Sequence, residues 1–203
     1  MQTIYLYTPD TTADWEIGYV LQALGQQKLF GDPAFELKTV APRAGIIRTI
    51  GGLTLTPDLT VDQIHSENAA ALLLSGAETW GDPEHAPILK TAASFLEKGI
   101  LVGAICGATL ALADAGILDT RKHTSNSLEF LTQCSANYHG APLYQNKPAV
   151  YDNGLITACS AGGLEWAHEL LIQLHIYTPE TIENWHSYYT TCNPAYLMKM
   201  LGF

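Results

Sequence analysis

The chain has 203 residues, of which 47% are hydrophobic and 15% charged, a composition typical of a globular protein and not of a disordered one. Ten basic residues against twenty acidic ones give a net charge of -10, which argues against nucleic acid or an anionic membrane as the main partner. The four cysteines lack a Cys-x-x-Cys spacing, and the chain starts without a leader-like or membrane-spanning segment, so we expect reduced thiols and a cytoplasmic protein.

Strand-like and helix-like segments alternate along most of the chain. Strands are predicted at residues 3–8, 34–41, 69–77 and 100–105, and hairpins around Gly51-Gly52 and Asp152-Asn153-Gly154. Helices are predicted over residues 14–29, 107–115, 127–133, 164–174, 178–189 and 193–201, with a further one starting at Asp82-Pro83. This order predicts an α/β fold in three layers, a mainly parallel sheet with helices on both faces. We predict one domain over residues 1–203, in which residues 178–203 form a helical tail packed on the rest.

Cys106 lies where the apolar strand at residues 100–105 meets a helix. Ligands of parallel α/β sheets bind beyond the C-terminal ends of the strands, and a helix N-terminus favours an anion. We therefore expect a lowered thiol pKa and a nucleophilic role. The small residues on both sides of Cys106 would allow the tight turn of a nucleophile elbow. Position alone leaves a second interpretation open, a small residue of the core, because free cysteines are often buried for packing.

Five segments resemble one known family in the same order along the chain. The segment "AICGATLALADAGIL" resembles the nucleophile elbow of the ThiJ/PfpI family, in the class I glutamine amidotransferase-like superfamily. "TADWE" resembles its loop with a glutamate, "LLLSGAETW" its strand end, and "HTSN" with "LITACSAGGLEWA" its later strand and final core helix. The resemblance spans about residues 3–174. It implies a flavodoxin-like sheet with a nucleophile elbow, and it suggests a homodimer.

The resemblance also implies roles for individual residues. Cys106 would be the nucleophile, and Glu16 would hydrogen-bond its sulfur, which requires a proton on one of the two groups. The backbone N–H groups of Gly76, Ala77 and Gly107 would hold an oxyanion. Without the resemblance, Glu16 would be interpreted as a solvated acid in the first turn of a helix.

The chain departs from the family pattern where a histidine would serve the cysteine. Protease-like and amidase-like members have a histidine directly after the cysteine, and here that residue is Gly107. Other members have one where this chain has Asn126, and strand alternation turns His123 to the opposite face. The candidate pocket residues are His123, Asn126, Trp80 and His85, although we favour a surface position for His85 and a structural role for Trp80.

Three functions remain open. The first is a cysteine-nucleophile hydrolase, amidase or lyase acting on a small electrophilic substrate. The second is a non-catalytic stress or redox-sensing protein with an oxidisable cysteine, and the third is a binding module without activity. An imidazole within reach of the Cys106 sulfur would favour the enzyme, and its absence together with a close Glu16 would favour sensing. We expect no metal, because the helical pair His168 and His175 lacks the His-Glu-x-x-His spacing. We expect no cofactor, because "GIIRTIGG" is neither a dinucleotide fingerprint nor a P-loop.

Overall fold

The computed structural model describes all 203 residues and has a central sheet at its core. The strands are β1 (Gln2–Tyr7), β2 (Phe35–Ala41), β3 (Ile47–Arg48), β4 (Thr54–Leu55), β5 (Leu59–Thr60), β6 (Ala69–Leu74), β7 (Leu101–Ile105), β8 (Ala149–Asp152) and β9 (Leu155–Ala158). Seven of them form one sheet in the order β5-β2-β1-β6-β7-β9-β8. Every neighbouring pair is parallel except β8 and β9, which form an antiparallel hairpin. Strands β3 and β4 form a separate two-stranded ribbon.

Eight α-helices flank the sheet. They are α1 (Gly18–Gly25), α2 (Gln27–Phe30), α3 (Ala86–Glu97), α4 (Gly107–Asp114), α5 (Leu128–Cys134), α6 (Gly163–Leu174), α7 (Pro179–Thr191) and α8 (Pro194–Met200). Short 3-10 turns occupy Val61–Gln63, Pro83–His85 and Ala141–Leu143. None of the helices combines the length and the apolar character needed to cross a membrane.

The two faces of the sheet carry separate hydrophobic clusters. In β1, Ile4 and Leu6 belong to the cluster with α1, α6 and α7, whereas Tyr5 and Tyr7 belong to the cluster with α3, α4 and α5. This alternation follows from the period of two in a strand, which sends successive side chains to opposite faces. The predicted three-layer α/β fold with a mainly parallel sheet is therefore confirmed.

The region between β1 and β2 differs from its prediction. The helix expected over residues 14–29 begins only at Gly18 and is interrupted at Gln26. The buried Gln27 side chain explains part of this geometry, because it donates to the carbonyls of Leu24 and Phe35 at 3.0 and 2.9 Å. Residues 10–17 are consequently a loop, and this loop carries Glu16 at the C-terminal edge of the sheet.

The C-terminal helices pack against the first cluster. Trp185 of α7 is fully buried, and its indole Nε1 donates to Gln22 Oε1 of α1 at 2.7 Å. The helix begins at Pro179, after Thr178 whose hydroxyl accepts from the Thr181 N–H at 3.2 Å, as the Thr-Pro pair predicts. Helix α7 thereby contacts α1, the helix that directly follows the loop of Glu16.

Candidate active site

Cys106 occupies a strained turn between β7 and α4. Its φ of 57° and ψ of -124° lie outside the regions that non-glycine residues favour, a conformation that costs on the order of 1–3 kcal/mol. Hydrogen bonds hold the turn from both sides: Cys106 N–H donates to Ala158 O of β9, and Thr109 N–H of α4 donates to Cys106 O, each at 3.0 Å. The half-buried thiol is thus presented at the C-terminal edge of the sheet in the geometry of an elbow.

Glu16 reaches the same point from the loop after β1. The residue is only 1% exposed, and its Oε2 accepts a hydrogen bond from the Gly76 N–H at 3.0 Å. Gly76 lies directly between the two candidate groups: a Cβ there would meet Glu16 Oε2 at 2.3 Å and Cys106 Cβ at 3.0 Å. The other carboxyl oxygen, Oε1, is buried without a well-aligned hydrogen-bond partner. Glu16 is therefore no solvated helix acid, and its carboxyl is packed beside the thiol.

The thiol and the carboxyl shift each other's ionisation. Burial raises the pKa of Glu16, against which the Cys106 thiol and the Gly76 N–H favour the ionised carboxylate. Burial also raises the pKa of Cys106, to about 11, and the negative charge of Glu16 adds to the rise. The expected lowering of the thiol pKa is therefore wrong, because desolvation and the neighbouring carboxylate outweigh the Asn126 and Gly107 donors that favour the thiolate.

Two donors act against this rise. The side-chain Nδ2 of Asn126 donates to Cys106 Sγ at 3.4 Å, and the Gly107 N–H also lowers the pKa of Cys106. The Oδ1 of Asn126 accepts from the Ser160 N–H at 2.8 Å. Asn126 thus takes the contact with sulfur that the resemblance associates with a histidine.

The backbone groups expected to bind an oxyanion are only partly free. The Gly76 N–H is already bound to Glu16 Oε2, so that residue is removed from the expected set. The Ala77 N–H makes no hydrogen bond within the protein and lies beside Gly107. Ala77 and Gly107 are the two donors left for a developing negative charge near the sulfur.

The packing around Gly107 leaves little room for a side chain directly after the cysteine. A Cβ at this position would lie 3.0 Å from Ala77 O and 3.3 Å from Trp80 Cδ1. Trp80 is itself buried and fixed by its Nε1, which donates to Ser75 O at 2.9 Å. Trp80 therefore packs against the elbow and occupies space that a larger residue at position 107 would require.

The two candidate histidines are both engaged elsewhere. His123 is fully buried, and its ring nitrogens contact Arg121 O and Tyr138 Oη, both at 2.7 Å. His85 is only 1% exposed, which contradicts the expected surface position, and it contacts Tyr7 Oη at 2.7 Å and Thr79 Oγ1 at 3.2 Å. Neither imidazole reaches Cys106, so no Cys-His dyad is present. No pattern in the sequence predicts that Tyr7 is the partner of His85.

The half-buried sulfur of Cys106 is not part of a cavity. The cavities of the protein lie elsewhere, and none is lined by Cys106, Glu16 or Asn126. No group of three or more histidine, cysteine, aspartate or glutamate side chains is arranged to hold a metal ion. The arrangement can therefore offer a small reactant one thiol, one carboxyl, one carboxamide and two backbone donors.

The parallel sheet and the cysteine elbow define an α/β protein with a candidate nucleophile at a strand–helix turn. The sequence model of the DJ-1/PfpI family matches residues 2–173, and the chain belongs to this family. A Bacillus subtilis relative called "Uncharacterized protease YoaZ" is 39% identical and covers 100% of this chain and 98% of its own length.

Solved structures agree with the family assignment. A ThiJ/PfpI family protein from Bacillus anthracis superposes with a TM-score of 0.94 at 38% identity, over 100% of this chain and 97% of that one. A DJ-1 superfamily protein from Agrobacterium tumefaciens gives a TM-score of 0.82 at 27% identity, over 95% of this chain and 100% of that one. The resemblance carried by the elbow and its companion segments is thereby confirmed.

Proposed function

We propose that the protein is a cysteine-dependent enzyme of hydrolase or lyase type that acts on a small electrophilic substrate. Cys106 is the nucleophile, and Glu16 carries the proton. The observation that supports this most is the buried Glu16 carboxyl, held by the Gly76 N–H beside a half-buried thiol in a strained turn. Strained backbone and a carboxyl of perturbed pKa are features that cluster at functional sites.

The proton has to be handled by Glu16 because no imidazole touches the sulfur. The raised pKa of Glu16 makes its carboxylate a stronger base than an exposed glutamate would be. With an acyl substrate, sulfur bonds to the carbonyl carbon as the thiol proton moves to Glu16, and the carbonyl electron pair shifts to oxygen. The N–H groups of Ala77 and Gly107 can stabilise that oxyanion. The electron pair then returns, the leaving group departs with the proton from Glu16, and water hydrolyses the thioester.

Cys106 lines no cavity, so the proposed substrate class rests on the reactive groups at the elbow and not on a binding pocket. The name of the Bacillus subtilis relative contains the word protease, which is compatible with acyl transfer by a cysteine. A thiol, a carboxyl and two backbone donors around one half-buried sulfur suit a small ester, amide or carbonyl compound.

Redox sensing is the second candidate, and both conditions expected to favour it are met, because no imidazole touches the sulfur and Glu16 lies beside it. The enzyme is placed first because the names of two Bacillus subtilis relatives contain the word protease. In that reaction the thiolate attacks one peroxide oxygen, the O–O bond breaks, and the departing alkoxide or hydroxide takes the proton held by Glu16. Sulfur is oxidised to a sulfenic acid and the peroxide is reduced to an alcohol or water. A second equivalent of peroxide would give the sulfinic acid.

The two candidates can be separated with Cys106→Ser, which keeps the shape of the turn and removes the thiol. We expect the variant to hydrolyse p-nitrophenyl acetate at least about a hundredfold more slowly than wild type. Cys159→Ser is the matched control, because this cysteine is also half-buried at the end of a strand. Hydrolysis retained by Cys106→Ser would overturn the enzyme proposal. Oxidation of Cys106 by hydrogen peroxide in wild type, without turnover of the ester, would support the sensor instead.

A further inference from the structure

The carboxamide of Asn126 joins two loops at the sulfur. Its Nδ2 donates to Cys106 Sγ at 3.4 Å, and its Oδ1 accepts from the Ser160 N–H at 2.8 Å. A backbone N–H can only donate, so the carboxamide oxygen must face Ser160 and the amino group must face the sulfur. The orientation of the amide is thus fixed by the loop that follows β9.

The segment in front of Asn126 is anchored in the interior, although Asn126 itself is exposed. The Thr124 N–H donates to Thr157 Oγ1 of β9 at 2.8 Å. The hydroxyls of Ser125 and Thr109 are hydrogen-bonded at 2.7 Å, and Thr109 Oγ1 also donates to Cys106 O at 2.6 Å. The backbone that presents Asn126 is therefore tied to the same turn of α4 that presents the thiol.

A donor at this place acts differently from a histidine. A hydrogen bond to an ionised sulfur is stronger than one to a neutral thiol, so the amide favours the thiolate. The carboxamide neither gains nor loses a proton in the usual pH range, whereas an imidazole would. Glu16 is the one titratable group that acts on the sulfur, and the remaining group that favours the thiolate is the Gly107 N–H.

We propose that Asn126 is a positioning residue for Cys106, a donor that holds the sulfur and stabilises its thiolate independently of pH. This inference rests on the proposed nucleophilic role of the thiol. It also divides two tasks that one histidine could perform together: Asn126 stabilises the anion, and Glu16 accepts the proton. The dependence of Cys106 reactivity on pH should then reflect only the thiol and Glu16.

The test is the rate of iodoacetamide alkylation at Cys106, measured by peptide mass spectrometry across a pH series. Asn126→Ala removes the donor, and we expect alkylation to be about tenfold slower at each pH below the thiol pKa. In Asn126→Asp, the Ser160 N–H keeps an acceptor, but a carboxylate oxygen faces the sulfur, so the rate should fall further. Ser160→Ala keeps the backbone N–H and should match wild type.

The same pair of substitutions in a Glu16→Gln background isolates the thiol from its titrating neighbour. In that background, alkylation of Cys106 should still be fastest with Asn126, slower with Ala and slowest with Asp. The curve of rate against pH should keep its shape and move toward alkaline pH in that order. Rates at Cys106 that coincide for all three residues at position 126 would overturn the inference while leaving the nucleophilic role intact. Loss of ester hydrolysis in Cys106→Ser with no response to position 126 would lead to the same conclusion. Melting temperatures show whether Asn126→Ala and Asn126→Asp are folded. The proposal requires the two variants to differ in alkylation rate while their melting temperatures are equal.

Discussion

Two of the regions in which the molecule buries polar atoms without a hydrogen bond differ in their backbone and in their chemistry. At the elbow, Glu16 Oε1 lacks a partner beside a thiol, in a turn with strained backbone. Between α6 and α7, the rings of His168 and His186 stack at 4.1 Å and 14°, and the Nε2 atom of each is buried without a hydrogen bond. The histidines lie in regular helices, far along the chain from Cys106. An unpartnered buried atom therefore does not by itself indicate a reactive site, and at the elbow it is the strained backbone beside a thiol that supports the proposed role of Cys106.

The largest effect is expected from Glu16→Gln, because it separates proton transfer from thiolate formation. The glutamine can still accept from the Gly76 N–H through its oxygen and can offer an N–H toward the sulfur, so the thiol pKa should fall. Iodoacetamide alkylation of Cys106 at neutral pH should rise about tenfold. Ester hydrolysis should fall about a hundredfold, because the proton acceptor is lost.

Faster alkylation together with slower hydrolysis is expected only if the Glu16 carboxyl acts as a base. A Glu16→Gln variant that alkylates and hydrolyses like wild type would remove Glu16 from the site. Parallel loss of both rates would indicate a structural role only. Glu97→Gln provides a control that exchanges the same groups at the exposed end of α3, which precedes β7 and so lies at the opposite edge of the sheet from the elbow.

Gly76→Ala is expected to give the next largest effect. A Cβ at position 76 would lie 2.3 Å from Glu16 Oε2, so the carboxyl must move and its hydrogen bond to the Gly76 N–H must weaken. We expect a loss of about 2 kcal/mol in the free energy of unfolding, typical of overpacking. The carboxyl should also leave the sulfur, with a loss of ester hydrolysis.

Gly81→Ala is the matched control for this substitution. Gly81 follows the same strand-end loop, and a Cβ there would meet nothing within 4 Å. Chemical denaturation should therefore leave Gly81→Ala close to wild type. If Gly76→Ala were equally stable and equally active, the close packing of the Glu16 carboxyl against position 76 would be wrong.

The sequence predicts much of the fold because that information is local. Apolar runs such as residues 69–77 mark the buried strands, and small residues around Cys106 mark the elbow. The ionisation of the site depends instead on contacts between distant residues. The Gly76 N–H that binds Glu16 is 60 positions away in the chain, and the bond leaves Gly76 unavailable to an oxyanion. The partners of His123 and His85 are also long-range or loop contacts, which no spacing predicts.

Asn126 is a second example of a site whose contacts the sequence does not predict. Its departure from the histidine of related proteins is visible in the sequence. The sequence does not predict that the Ser160 N–H binds the Asn126 carboxamide oxygen and so turns the amino group of Asn126 to the sulfur. A residue type can therefore be predicted at a site, whereas its orientation depends on a partner from another loop.

The smallest effect is expected at the stacked histidines, through the dependence of stability on pH. Burial lowers the pKa of His168, and His186 of α7 lowers it further, whereas Glu183 of α7 and Glu165 of α6 act in the opposite direction. A folded-state pKa below the unfolded value of about 6.5 means that the unfolded chain binds more protons. Stability should therefore be highest above that pH and should fall as the pH drops through it, levelling off below the folded-state pKa.

Thermal unfolding between pH 8 and 5 can measure the contribution of His168 to stability. This range spans the unfolded histidine pKa of about 6.5 and lies above the pH at which most carboxylates titrate. His168→Gln should flatten the curve in the region where histidine titrates, because the group that must remain neutral on folding is gone. His175→Asn is the control, since His175 is exposed in the left-handed turn that ends α6, a conformation that asparagine tolerates. Its curve should follow that of wild type. Because neither histidine is among the groups that act on the sulfur, neither substitution should alter the pH profile of Cys106 alkylation. A profile that moved with His168 would mean that the two regions are coupled.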